Sequence, residues 1–282
     1  MQRCNTLLYI SVFLYCCINM SHHYFFCIIL LFHVGHLSAS IVKICDDEIE
    51  FPPYTFFERD SQGTKTNLVG VTHDLLKEIF NHIDLTYKVD LVPWKRCIFE
   101  VEKYDTRKTY EMFSTGSYFL KRASKYYATA AYGVVNQGIF YSTQQHPDGI
   151  NVNSIKDLQQ FTQVCGVLGY SYRAYKLTDE SKFMRAPSIV AGLKMLGSNR
   201  CQIMPLGIEV AQGVQLIEQY RIPKTIKVIR INAIKPTTFH LYISKSSPRA
   251  FEIYTKVNQQ LVRMIHTGEV DKIHQKYADL LN

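Results

Sequence analysis

Short β-branched runs and amphipathic helical runs alternate from residue 41 to the C-terminus, and this alternation limits the fold more than any other feature. Residues 41–45 have the pattern of a strand. Leu68 and Val69 lead through Gly70 to a helix with Leu75, Leu76, Ile79, Phe80 and Ile83 on one face. Thr72 is a fair N-cap for it, and Asp74 suits its first turn. Tyr87, Val89 and Leu91 alternate as a strand stopped by Pro93; residues 94–103 read as a second helix and residues 110–114 as a third strand. A strand–helix–strand–helix–strand order implies a parallel sheet with right-handed crossovers.

The pattern then repeats. Residues 154–160 make a short capped helix, and residues 164–168 a strand that runs through Gly169 into a helix. Residues 188–196 are a helix, 200–204 a strand, 209–220 a helix and 225–231 a strand. After a strand at 239–243, Ser247 and Pro248 open a long helix that ends at Gly268. Val270, Ile273, Tyr277 and Leu281 face inward on the last helix. The predicted fold class is α/β, with two lobes joined by a two-strand hinge. Residues 41–136 and 237–282 make lobe 1, and residues 137–236 make lobe 2. Segments 134–142 and 232–240 cross between them and leave a cleft that can close on a ligand.

Residues 1–40 are set apart by composition, with one Arg, no Lys and no acid. Two apolar runs, 7–17 and 24–34, have the length of a signal-peptide core and are short for a membrane span. Ser38-Ala39-Ser40 offers small residues for cleavage, and Met20 is an alternative start. The competing reading is an uncleaved N-terminal membrane anchor. Either way the chain is expected to be exported, to a periplasmic location.

The net charge of +8 would suit nucleic acid or acidic solutes, but Lys and Arg are dispersed. A phosphate footprint needs clustered charge, so nucleic acid is not expected as a partner. Cys4, Cys16, Cys17 and Cys27 fall in the leader, which leaves Cys45, Cys97, Cys165 and Cys201. An even number in an exported chain favours disulfides. The spacing shows no Cys-x-x-Cys or His-x-x-x-His pair, so neither a metal nor a cofactor is expected.

The chemistry-bearing clusters lie where strands end: Phe51-Pro52-Pro53-Tyr54, Val69-Gly70, Pro93-Trp94-Lys95-Arg96-Cys97 and Ser114-Thr115-Gly116-Ser117, followed by Lys121-Arg122. Ligands of open α/β sheets bind at the carboxyl ends of strands. Aromatics, hydroxyls and an arginine at such places suit a small anionic or zwitterionic solute.

In order and spacing these clusters resemble the family 3 extracellular solute-binding proteins, the polar-amino-acid receptors of bacterial ABC importers, over nearly all of residues 41–282. The resemblance implies a periplasmic binding protein type II fold that captures an amino-acid-like solute, works as a monomer and delivers to a membrane permease. It places the stacking aromatic at Phe51, the apolar wall at Trp94, and the hydroxyl-and-backbone segment at Ser114, Thr115 and Ser117. It places the carboxylate-binding arginine at Arg122, and a helix N-terminus donating amides to the ligand carboxylate at Tyr170, Ser171 and Tyr172. A guanidinium pairs bidentately with a carboxylate, helix-terminal amides favour anions, and flat aromatics grip a ligand body. Glu209 is the nearest acid for a ligand ammonium, although it is offset from the family's position; Glu111 stands where the family has an Asp.

The strand order pairs Cys45 with Cys97 and Cys165 with Cys201, one bond per lobe, since neighbouring strands meet the Cα limit of about 7 Å. The alternative is four buried free thiols. No catalytic residue is assigned. Two other readings remain open: a sensor subunit for a membrane partner, and a dehydratase-like enzyme using Glu209 or His240 as acid or base.

Overall fold

The computed structural model describes residues 41–217 and 220–281. The readings of the leader, its cleavage site and its four cysteines lie outside the described residues.

In chain order the elements are β1 (Val42–Asp47), β2 (Phe56–Arg59), β3 (Lys65–Val69), α1 (Val71–Asn81), β4 (Tyr87–Val92), α2 (Trp94–Glu102), α3 (Tyr104–Arg107) and β5 (Met112–Ser117). They continue with β6 (Tyr126–Ala128), β7 (Gly133–Val135), β8 (Gln137–Ser142), β9 (Val164–Val167), β10 (Phe183–Ala186), α4 (Ile189–Gly197) and β11 (Met204–Gly207). The last are α5 (Ile208–Gly213), β12 (Ile226–Ile229), β13 (Thr237–Ser244), α6 (Ala250–His266) and α7 (Glu269–Asp279).

The first lobe is built on one sheet in the order β4-β1-β5-β13-β6, with β7 also on β13. β1 runs parallel to both β4 and β5, as the alternating pattern implies, and β13 returns antiparallel. Strand β1 is mostly buried, with Val42, Ile44 and Cys45 at 0% exposure and Lys43 exposed near its start. Helix α1 covers the sheet with Leu75, Leu76, Ile79 and Phe80, the stripe that its sequence shows. It starts two residues before the expected cap. Gly70, at φ +122°, is the N-cap, and an added Cβ there would lie 2.2 Å from the Tyr54 carbonyl oxygen. Thr72 is therefore inside the helix, with its hydroxyl bonded to Tyr132.

The second lobe holds an antiparallel sheet, β11-β8-β12, and the parallel pair β9-β10. Strand β10 is not evident in the sequence. The strand expected at 200–204 is displaced to Met204–Gly207, with only an isolated bridge between Val164 and Ile203 before it. The helix expected after residue 168 does not form. Tyr172 turns inward instead: its hydroxyl accepts the Val167 amide at 2.7 Å, its ring sits 4.7 Å from Phe183, and only a 3-10 turn, Arg173–Tyr175, follows. The helix at 209–220 also shortens to Ile208–Gly213 and a 3-10 turn, Val214–Leu216.

Two crossings join the lobes. One runs from β7 into β8 through Asn136, and the other enters β13; Gln137 Nε2 donates to Thr237 Oγ1 at 3.1 Å between them. Near the hinge the lobes approach closely, since a Cβ on Gly213 would lie 2.6 Å from the Pro52 backbone. Glu111 is buried beneath β13, where it pairs with Arg249 at 2.5 Å and accepts the Ser247 hydroxyl. With Ser247 so engaged, α6 begins at Ala250, later than Pro248 suggests.

Both disulfides are present, Cys45–Cys97 with Cα atoms 5.6 Å apart and Cys165–Cys201 at 5.5 Å. The geometry differs from strand-to-strand pairing at both bonds, since Cys201 lies in a bend before β11. Cys97 lies on α2, which packs across β1, so the first bond joins a strand to the helix covering it.

Candidate functional site

Between the lobes lies a cleft of about 430 Å³. The carboxyl ends of β1 and β5 form its floor, the start of α2 and the segment after β5 one wall, and the loop after β9 with β11 the opposite wall. Of the residues named from the sequence, Phe51, Trp94, Thr115, Ser117, Arg122, Tyr170, Ser171 and Tyr172 line it. Ser114 and Glu209 are not among its walls.

Arg122 follows β5 on a short 3-10 turn, Leu120–Arg122. Its Nη1 donates to the Ser117 carbonyl at 2.6 Å. The guanidinium carbon lies 5.1 Å from the ring centres of Phe119 and Tyr242, 5.2 Å from Phe113 and 6.0 Å from Trp94. Burial pushes its pKa down, and the groups that oppose this are tyrosines, not carboxylates. Arg122 is thus a half-buried cation, held by aromatic faces, with no carboxylate paired to it among the described residues.

Two acids that the sequence reading passed over, Asp46 and Asp47, line the same cleft at the end of β1. Asp46 is buried. Its Oδ2 accepts the hydroxyls of Thr55 and Ser114 at 2.9 Å and of Thr115 at 2.7 Å, and its Oδ1 accepts the Asp47 amide at 2.8 Å. Desolvation raises its pKa, and these hydrogen bonds oppose the rise. Ser114 therefore supports Asp46 beneath the floor. Thr115 sits at φ +52°, with its amide donating to the Tyr132 hydroxyl at 3.1 Å. The carboxylate and the phenol together hold this left-handed residue in place.

Asp47 is only half-buried and lines the cleft, with its Oδ1 accepting the Ile49 amide at 3.2 Å. Burial, with lesser contributions from the charges of Asp46 and Glu48, raises its pKa to about 7, against the pull of the Ile49 and Trp94 amides. The available signal was the strand end itself: an acid pair just past a buried strand sits where α/β sheets bind ligands.

The aromatic walls are ordered by contacts with one another. Phe51 meets Phe239 edge-on at 5.6 Å and Tyr170, from the opposite lobe, at 5.9 Å; Trp94 meets Phe113 at 5.7 Å. The Tyr170 hydroxyl is buried and has no hydrogen-bond partner among the described residues. Burial, and then the charge of Asp47, raise its pKa far above the usual phenol value. Ser171 is exposed at the rim, while Tyr172 is turned into the lobe, its hydroxyl on the Val167 amide. No α-helix begins at these residues, so any anion contact here would come from loop amides without a helix dipole.

Glu209 faces the hinge. Its carboxylate accepts the Asn136 amide at 2.8 Å and Asn136 Nδ2 at 2.6 Å. It is occupied with holding the crossing strand. Replacing Glu209 with alanine is expected to lower stability by about 1–3 kcal/mol by leaving a part-buried amide unpaired, which chemical denaturation would measure. His240 is likewise engaged at both ring nitrogens, with the Thr129 carbonyl at 2.7 Å and Thr238 Oγ1 at 2.9 Å.

Two α/β lobes on a two-strand hinge, with a cleft between them, make the type II fold of the periplasmic binding proteins. The chain belongs to the bacterial extracellular solute-binding proteins, family 3, whose profile matches residues 44–279. Among solved structures it is similar to the substrate binding protein of an amino acid ABC transporter, with TM-score 0.66, 16% identity and coverage of 84% of this chain and 98% of that one. It is also similar to a histidine kinase sensor domain resembling periplasmic binding proteins, with TM-score 0.67, 17% identity and coverage of 84% and 96%. A third is AbpA from Streptococcus pneumoniae bound to L-arginine, with TM-score 0.65, 16% identity and coverage of 86% and 95%. At these identities the likeness concerns the fold alone. None of the curated proteins matches the chain.

Proposed function

We propose that this protein captures a small amino-acid-like zwitterion in the cleft between lobe 1 (41–136 and 237–282) and lobe 2 (137–236), outside the cytoplasmic membrane, and presents it to the permease of an ABC importer. The observation that carries this reading is the uncompensated guanidinium of Arg122 in the same cleft as the half-buried carboxylate of Asp47. A carboxylate on the first and an ammonium on the second would neutralise two charges that the lobe leaves open. Phe51 and Trp94 grip the ligand body, and Thr115, Ser117 and the loop amides of residues 170–172 complete its contacts. The fold neighbours that serve amino acid transporters support delivery to a permease, while the kinase sensor domain supports a second reading, in which the same cleft reports the solute to a membrane partner. An enzymatic role finds less support, because Glu209 and His240 are both engaged in structural hydrogen bonds.

The test is the pH dependence of binding and of stability. In the ligand-free protein the pKa of Asp47 is raised from 3.8 to about 7, so its contribution to stability is present at low pH and lost as pH rises through about 7. An ammonium ligand requires the ionised form and reverses the preference. Affinity measured by calorimetry is expected to fall on acidification from pH 8 to 5, approaching tenfold per pH unit below 7, and Asp47→Asn should abolish that slope. A flat profile with an amine ligand would remove Asp47 from the ammonium site.

A further inference from the structure

The charges lining the cleft are distributed unequally. Asp46, Asp47 and Arg122 all belong to the first lobe. The wall contributed by the second lobe is uncharged: Gly169, Tyr170, Ser171 and Tyr172, then Pro205 to Gly207. If Arg122 and Asp47 take the two headgroup charges, Asp46 is the remaining acidic or basic side chain among the described residues of the wall. Its carboxylate is already saturated by three hydroxyls and an amide, and a further donor would have to displace one of them. A third charge on the solute would then be desolvated with no counter-charge facing it.

What the cleft offers to the rest of the ligand is rings. Phe51 and Tyr170 come from opposite lobes and meet edge-to-face at 70° and 5.9 Å, so the cleft presents joined ring surface to a ligand side chain. Trp94 and Phe119 flank the guanidinium on the other side, and Phe119 keeps 41% of its surface exposed. The buried Tyr170 hydroxyl, on the second-lobe wall of the cleft, has no hydrogen-bond partner among the described residues, and a ligand ammonium would supply one as the second lobe meets the headgroup.

Resting on the zwitterion reading above, we infer that the solute is an amino acid with an uncharged aromatic side chain, its headgroup shared between Arg122, Asp47 and the Tyr170 hydroxyl and its ring held by the aromatic walls. Among the described residues no third counter-charge lines the cleft, so amino acids with charged side chains, arginine among them, are expected to bind less tightly than the aromatic set.

Calorimetry on the intact protein would compare L-phenylalanine, L-tyrosine and L-tryptophan with L-leucine, L-arginine, L-lysine and L-glutamate. The aromatic set is expected to bind at least about tenfold more tightly than every other member. Tyr170→Phe should weaken the best aromatic ligand by about tenfold. Equal or tighter binding of arginine, lysine or glutamate, still lost in Arg122→Ala, would overturn the side-chain inference and leave the headgroup reading standing. Leucine matching the aromatics would overturn the aromatic requirement, as would unchanged affinity in Tyr170→Phe for that hydroxyl's role. Failure of every α-amino acid to bind would overturn both readings together.

Discussion

Replacing Arg122 with alanine is expected to abolish solute binding and leave the fold intact. The guanidinium is tied to the Ser117 carbonyl and surrounded by Phe113, Phe119, Trp94 and Tyr242, so it is aimed before any ligand arrives. A pre-oriented fork loses little entropy on meeting a carboxylate. Removing one member of a buried, hydrogen-bonded charge pair costs about 2–5 kcal/mol, a loss of roughly 30- to 5,000-fold in affinity. Each cation–aromatic interaction that the truncation removes is worth about 0.5–1 kcal/mol, which unfolding should register as a modest loss of stability. Arg122→Lys keeps the charge but not the fork and is expected to fall between the two. Calorimetry with any amino acid that raises the thermal midpoint of the wild-type protein decides the matter: unchanged affinity in Arg122→Ala would remove this residue from the site.

The second large effect is expected from Cys45→Ala with Cys97→Ala. The bond spans 52 residues of chain, and a closed loop of that size stabilises by about 4 kcal/mol in the chain-entropy account. For a chain of this size that corresponds to a fall of about 8–16 °C in the thermal midpoint, read by scanning calorimetry. Both cysteines are fully buried beside Phe113 and Tyr242, so truncation also leaves empty volume in the packing that supports Arg122. The bond further anchors α2, whose first residue is Trp94. Affinity should therefore fall with stability. Removing Cys165–Cys201, which spans 36 residues, is expected to cost a similar amount of stability. Midpoints within a degree or two of wild type in both double variants would show that neither bond contributes as argued.

The parts of this protein that were legible in the sequence are those decided by local periodicity. Helix α1 and strand β1 show their buried faces in the spacing of Leu75, Leu76 and Ile79 and in the run of Val42, Ile44 and Cys45. Strand order followed from the alternation, and the cysteine pairing followed from strand order, even though Cys97 reaches Cys45 from a helix. Six aromatic, hydroxyl and arginine positions proposed for a ligand in the first lobe lay at strand ends; five of them line the cleft, and Ser114 supports the floor beneath it.

Tertiary structure alone decided the rest, because the deciding partners are distant in the chain. The third strand extends through Ser114 to Ser117 because β13, more than a hundred residues later, pairs with it there. Asp46 and Asp47 look like ordinary strand-end acids in the sequence, and only the convergence of Thr55, Ser114 and Thr115 and the shape of the cleft separate their roles. Glu209 has the right charge and lies close in sequence to a cleft strand, but its carboxylate is turned to Asn136 at the hinge. The helix expected after Gly169 lost to the packing of Tyr172 and the pairing of β10 with β9, which propensity does not register. Composition and spacing determined most of the elements and that their ends gather aromatic, hydroxyl and arginine side chains; the direction in which each charged side chain points was settled by packing and by the desolvation of whatever is left unpaired.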